Sequence, residues 1–173
     1  VLGAACLLSA VALASEDKMA VTTSSKQALK EYLQGRDLFE RLRFPEARTH
    51  FEKAVATDPD FAVAYLMLAQ SVTTTSDFAK NLKLAKANMS DATEAEQWWI
   101  QAVEAGFHGN AATQLEMFRK MAQAHPRDER VRTLLGNLYF GRQEWDNAVA
   151  EYEAAIKANP EFSQPYNQLG YSY

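Results

Sequence analysis

Apolar and small residues recur along this chain at the spacing of amphipathic helices, in units of about 34 residues. The clearest unit is 129–162, where Leu135, Gly136 and Tyr139 are followed by Trp145, Ala148, Tyr152 and Ala155, with Pro160 after them. That spacing predicts two helices joined by a tight turn. One such hairpin cannot bury its own apolar face, so it needs a neighbour of the same kind on each side. The chain supplies them: Gly35, Leu38, Ala47, Phe51, Ala54 and Pro59 in 28–61; Tyr65, Leu68 and Ala69 in 62–94; and Trp98, Ala102, Phe118 and Pro126 in 95–128. A further unit opens at Ser163 with Tyr166, Leu169, Gly170 and Tyr173 in register. The expected architecture is all-α, a stack of antiparallel helical hairpins with repeats 28–61, 62–94, 95–128 and 129–162 and a partial fifth, 163–173.

Local signals refine the pattern. Gly35 and Ala47, like Gly136, mark points where two helices cross closely, and a larger side chain there would push them apart. Thr93 and Glu96 form a capping box ahead of a helix that is expected to stop at Gly106, and Asn110 is expected to cap the next one. Residues 62–94 are the irregular joint. Their turn, Thr73 to Asp77, is hydroxylic, Asn81 and Asn88 stand where small residues are expected, and no proline closes the unit. Glu31 and Arg132 also depart from the pattern, each at a position that calls for an aromatic.

On these residues the chain resembles the tetratricopeptide repeat, whose signature is aromatic, Leu, Gly, Tyr, Ala, aromatic, Ala, Pro at fixed offsets. The resemblance implies a right-handed superhelical solenoid in which the first helix of each hairpin lines a concave groove. It also implies a protein-interaction scaffold that binds a partner protein or an extended peptide there, rather than an enzyme. Carried over position by position, the peptide-binding candidates are Tyr32, Arg36, Phe39, Gln70, Trp99, Val103, Asn137, Phe140, Asn167 and Tyr171. Stacking on Tyr32, Trp99 and Phe140, with hydrogen bonds from Asn137, Asn167 and Gln70, is the expected mode. The competing reading is that these aromatics pack against the neighbouring hairpin. Two other functions stay open: a regulatory or substrate-docking segment of a larger enzyme, and self-association through an uncapped repeat end.

Val1 to Ala14 is apolar or small apart from one serine and ends in Ala12-Leu13-Ala14 before a polar run, which reads as the core and cleavage site of a secretory signal peptide. The basic start expected before it is missing, so the segment is read as truncated. A buried first helix and a membrane anchor are the alternatives. Residues 15–27 read as a linker, or as the entry to the first helix with a serine cap. The protein is expected to be exported and bacterial, periplasmic or extracellular, with no membrane association of the mature domain.

Composition narrows function by exclusion. Lys and Arg number 18 against 22 acidic residues, mixed along the chain, so there is no basic stripe to suit nucleic acid. The one cysteine, Cys6, lies in the apolar start, so no disulfide framework is expected. His50, His108 and His125 lack metal-ligand spacing, and no phosphate loop or nucleophile elbow occurs. No cofactor, metal or catalytic residue is assigned.

Overall fold

The computed structural model describes Ala10–Val11 and residues 18–172. Among them are nine α-helices: α1 (Lys26–Glu40), α2 (Phe44–Thr57), α3 (Ala62–Ser71), α4 (Thr75–Ala87), α5 (Glu94–Phe107), α6 (Ala111–Ala124), α7 (Glu129–Gly141), α8 (Trp145–Ala158) and α9 (Gln164–Ser172). The only strands among the described residues are β1 (Ala10–Val11) and β2 (Thr22–Thr23), which pair antiparallel. The fold is an all-α helical repeat. Apart from Ala10–Val11, the apolar segment read as a signal peptide lies outside the described residues. No helix among those residues is long and apolar enough to cross a membrane.

Packing follows the hairpin pattern. Helices α1 and α2, α3 and α4, and α7 and α8 pair closely, while α2 on α3, α6 on α7 and α8 on α9 join one hairpin to the next. In the α1–α2 and α7–α8 pairs a glycine permits the close approach. A Cβ on Gly35 would lie 2.7 Å from a ring carbon of Phe51, and one on Gly136 would lie 2.6 Å from a ring carbon of Tyr152. Phe51 and Tyr152 are fully buried, as are Ala47 and Ala148 on the same helices. Each glycine therefore leaves room for a ring.

Turns between paired helices use one design three times. In the first, the Arg43 N–H donates to the Leu38 carbonyl and the Leu42 N–H to that of Phe39. Asn110 and Gly109 donate in the same way to Ala105 and Gly106, and Glu144 and Gln143 to Tyr139 and Phe140. This is the six-to-one and five-to-two bonding that ends a helix through a left-handed residue. That residue is Gly109 at φ 75, but Leu42 at φ 61 and Gln143 at φ 59 hold it without being glycine. The helix expected to stop at Gly106 instead runs through it to Phe107, because Gly109 supplies the left-handed step.

Hairpins are joined by proline turns at Pro59, Pro126 and Pro160, in which Phe61, Asp128 and Phe162 donate back to the carbonyls of Asp58, His125 and Asn159. Proline suits the second position of such a turn because its φ is already set. After α4 there is no proline, and a 3-10 turn, Met89–Asp91, takes its place. The chain divides in the first turn of α5 into two compact units, one comprising 20–96 with β1 and the other 18–19 with 97–172 among the described residues. In the first unit Tyr32 packs 5.1 Å from Phe61 and 5.9 Å from Phe51, centroid to centroid. In the second, Arg130 lies over Phe162, and burial pushes the Tyr152 phenol up to about 12.

Helix starts are capped as their residues dictate. Ser25, Thr74, Asn110 and Asp128 each accept from a first-turn N–H. Thr93 and Glu96 make the reciprocal box: the Thr93 N–H donates to Glu96 Oε2 at 2.8 Å and the Glu96 N–H to Thr93 Oγ1 at 3.4 Å. The two residues that break the aromatic pattern also have partners. Glu31 faces His50 at 2.8 Å, and Arg132 donates to Glu151 at 2.8 Å, polar pairs at equivalent places in the first and fourth hairpins with the carboxylate on opposite helices.

Candidate functional site

Nine of the ten groove candidates fall into three groups, and Gln70, half-buried, stands apart. Two are core. Tyr32 is 1% exposed between Phe51 and Phe61 with Arg36 over its ring, and Trp99 is 7% exposed, so neither offers a face to a stacking ligand. Their burial fits the competing reading, in which these aromatics pack within the repeat. Sequence spacing gives the side of the helix on which an aromatic lies but not whether that side is covered. The Trp99 indole N–H and the Gln70 amide nitrogen are buried without a partner among the described residues.

A second group closes the hairpins. Phe39 packs edge-on against Phe44 at 5.0 Å, and Phe140 packs edge-on against Trp145 at 5.1 Å, at equivalent repeat positions. Both are half-buried. Their edge-to-face contacts pin the end of the first helix to the start of the second. Arg36 is half-buried and pairs with Glu40, and Val103 is half-buried.

The third group is open and polar, and all of it lies in the second unit. Asn137 on α7 and Asn167 on α9 are exposed, and Tyr171 on α9 is 78% exposed. Asn137 is oriented: the Tyr152 hydroxyl donates to its Oδ1 at 2.9 Å. With its acceptor engaged, the side-chain amide is left with its two N–H donors. Helices α7 and α9 are the first helices of successive hairpins and contact one another. One oriented amide on α7, with an exposed amide and phenol on α9, suits an extended peptide, whose backbone offers carbonyls at regular intervals.

Sequence reasoning missed a polar locus in each unit, one holding residues 22–24 and one holding residues 18–19. In the first unit, Asp58 and Glu96 hold Thr22, Thr23 and Ser24. In the second, Asp128 accepts from the Met19 N–H at 2.8 Å and Glu129 pairs with Lys18. The residues read as a linker are held in place at Val21 and Thr23, each 3% exposed. The one available signal was the capping box at Glu96, which accounts for only half of what that carboxylate does.

Among the described residues no group of three or more His, Cys, Asp or Glu is placed to hold a metal ion. The sequence matches two models of one repeat family, described as tetratricopeptide repeat over residues 32–88 and as TPR repeat over residues 136–173. The chain carries tetratricopeptide repeats. No curated protein matches the sequence significantly. Among solved structures, it is similar to TTC0263, a thermophilic TPR protein in Thermus thermophilus, with a TM-score of 0.56 and 17% identity over 85% of this chain and 81% of the other. It is also similar to PilW, a widely conserved type IV pilus biogenesis factor, with a TM-score of 0.54 and 14% identity over 86% of this chain and 69% of the other. These likenesses are of fold. The TPR architecture is in general a non-catalytic platform for protein–protein contact, and the open amides of α7 and α9 lie on helices of that architecture.

Proposed function

We propose that this chain is a protein-interaction scaffold that takes an extended segment of a partner along α7 and α9, with Asn137 as its central contact. One observation carries the reading. Asn137 is exposed, yet its Oδ1 is fixed by the buried Tyr152 hydroxyl, so its N–H donors have one direction before any ligand arrives. Preorganised donors lose little on binding. Asn167 and Tyr171 extend the same row. The test is selection from a displayed peptide library with the whole chain as bait, followed by titration of a selected peptide against Asn137→Ala. The reading predicts a loss of about tenfold or more, the effect of removing an oriented hydrogen-bond donor. Unchanged affinity would place the peptide elsewhere.

Self-association is a second reading with its own observation. Leu33 on α1 is 37% exposed and, with Leu29 and Leu38, lines an open cleft of about 680 Å³. Sedimentation at several concentrations decides it, and a monomer throughout removes it. The scaffold is proposed to work outside the cytoplasm, on the strength of the apolar run ending in Ala12-Leu13-Ala14. The mass of the mature protein tests this: loss of residues 1–14 supports it, and an intact start contradicts it.

A further inference from the structure

Two carboxylates of the first unit are arranged as a receptor for an extended strand. Glu96 is fully buried and accepts four hydrogen bonds. Two come from its own helix start, the Thr93 N–H at 2.8 Å and hydroxyl at 2.9 Å. The other two come from Thr22, whose N–H donates at 2.9 Å and hydroxyl at 2.7 Å. Asp58 is 5% exposed and receives the Thr23 hydroxyl, the Ser24 N–H at 3.0 Å, the Ser24 hydroxyl at 3.2 Å and the Asp60 N–H at 3.3 Å. Each carboxylate thus reads backbone N–H and side-chain hydroxyl together. Val21, 3% exposed, supplies a buried apolar anchor beside them.

A carboxylate accepts and cannot donate, so buried oxygens of this kind need donors continuously. Glu96 Oε1 has the Thr22 N–H as its donor, and Asp58 Oδ2 has, among the described residues, donors from Thr23 and Ser24. Oε2 of Glu96 takes the two Thr93 donors of the α5 cap and also the Thr22 hydroxyl, while Oε1 takes the Thr22 N–H. Glu96 therefore has two jobs, the α5 cap and the strand, that meet at Oε2.

We propose that Asp58 and Glu96 form a docking site for an extended strand bearing consecutive Thr or Ser residues, and that Val21–Ser24 occupies it in cis as an internal ligand. The site is distinct from the amide row on α7 and α9. Its chemistry selects a segment with a free backbone N–H and a hydroxyl on the same residue, and disfavours proline or an added phosphate at those positions. A partner strand of that chemistry gains the site only by displacing Val21–Ser24. The apparent affinity for it is then reduced by the fraction of time the cis segment is seated.

The test uses the whole chain. Thr22→Pro removes the N–H and the hydroxyl that reach Glu96 and unseats the segment. A labelled synthetic peptide of residues 20–26 is titrated against the wild-type chain, against Thr22→Pro, and against Thr22→Pro with Asp58→Ala, with helicity followed by circular dichroism. Binding to Thr22→Pro at least about tenfold tighter than to wild type, and lost when Asp58→Ala is added, is the expected result. Equal binding to all three chains, or none to Thr22→Pro, overturns the proposal. If Thr22→Pro does not fold, hydrogen exchange of the wild-type chain decides. The Thr22 and Ser24 amides should exchange through a local opening, faster than core amides such as that of Ala69. Protection equal to Ala69 overturns the proposal, because a segment that leaves only on global unfolding cannot be displaced.

Discussion

Replacing Gly136 with alanine tests the hairpin crossing directly. In an ordinary helix interior this change is favourable by roughly 0.8–1.0 kcal/mol, because alanine is the better helix former. At Gly136 the new Cβ would sit 2.6 and 2.8 Å from two ring atoms of Tyr152. That ring cannot swing aside: Tyr152 is fully buried, with its hydroxyl bound to Asn137. Overpacking of this kind costs about 1–3 kcal/mol, and the rigidity of the ring puts the cost in the upper half of that range. The net expectation is destabilisation by about 1–2 kcal/mol. Gly106→Ala is the control in another helix. Its Cβ would meet the side-chain amide of Gln114, the end of a flexible and half-buried chain that can rotate away. Gly170, with nothing within 4 Å, is a second control. Urea titration by circular dichroism should show the Gly136→Ala midpoint falling while those of Gly106→Ala and Gly170→Ala hold or rise, at unchanged slope. A Gly136→Ala midpoint that rises with the controls would refute the crossing as the reason for the glycine.

Leu42→Gly should stabilise by about 0.5–1 kcal/mol, since the left-handed step costs a non-glycine residue about 1–2 kcal/mol, part of which returns as glycine's freedom in the unfolded chain. Leu42 is 67% exposed at φ 61, so little burial is lost, and a lower urea midpoint would contradict the strain. Burial of Asp58 works to raise its pKa, but hydrogen bonds from Thr23, Ser24 and Asp60 outweigh it and hold the carboxyl below the ordinary aspartate value of 3.8. A depressed folded pKa adds stability that is full above that unfolded value and is lost as pH falls through the folded one. The gap in urea midpoint between wild type and Asp58→Asn should therefore be widest near neutrality and close on acidification below about pH 4; a gap independent of pH would contradict it.

There are physical reasons why some of this was legible in the sequence and some was not. Gly136 and Gly35 were legible because only a missing Cβ explains a small residue opposite a buried ring at the same place in two repeats. The caps at Thr93 and Asn110 were legible because a hydroxyl or amide before an apolar run has one common use. Glu31 and Arg132 looked like defects until their partners, His50 and Glu151, came alongside them on the second helix of each hairpin. Gly106 misled because glycine suggests a helix end, whereas here the left-handed step falls at Gly109 and at the equivalent Leu42 and Gln143.

Within the candidate site, helical periodicity put Tyr32, Trp99 and Asn137 on comparable positions but carried no information on which of them a neighbour would cover. Of these three, only Asn137 is left open. Val21 to Ser24 had no periodicity to read, Asp58 carried no motif, and the capping box explained Glu96 without them. Their role depends on residues more than 30 positions apart in the chain.

The central claim is that Asn137, Asn167 and Tyr171 form the partner-binding row. The most direct measurement is nuclear magnetic resonance of the labelled chain during titration with a peptide selected from the library. The account predicts that the side-chain amide signals of Asn137 and Asn167 shift first and most, together with backbone signals of α7 and α9. Shifts confined to α2 or α8, with both side-chain amides unmoved, would contradict it.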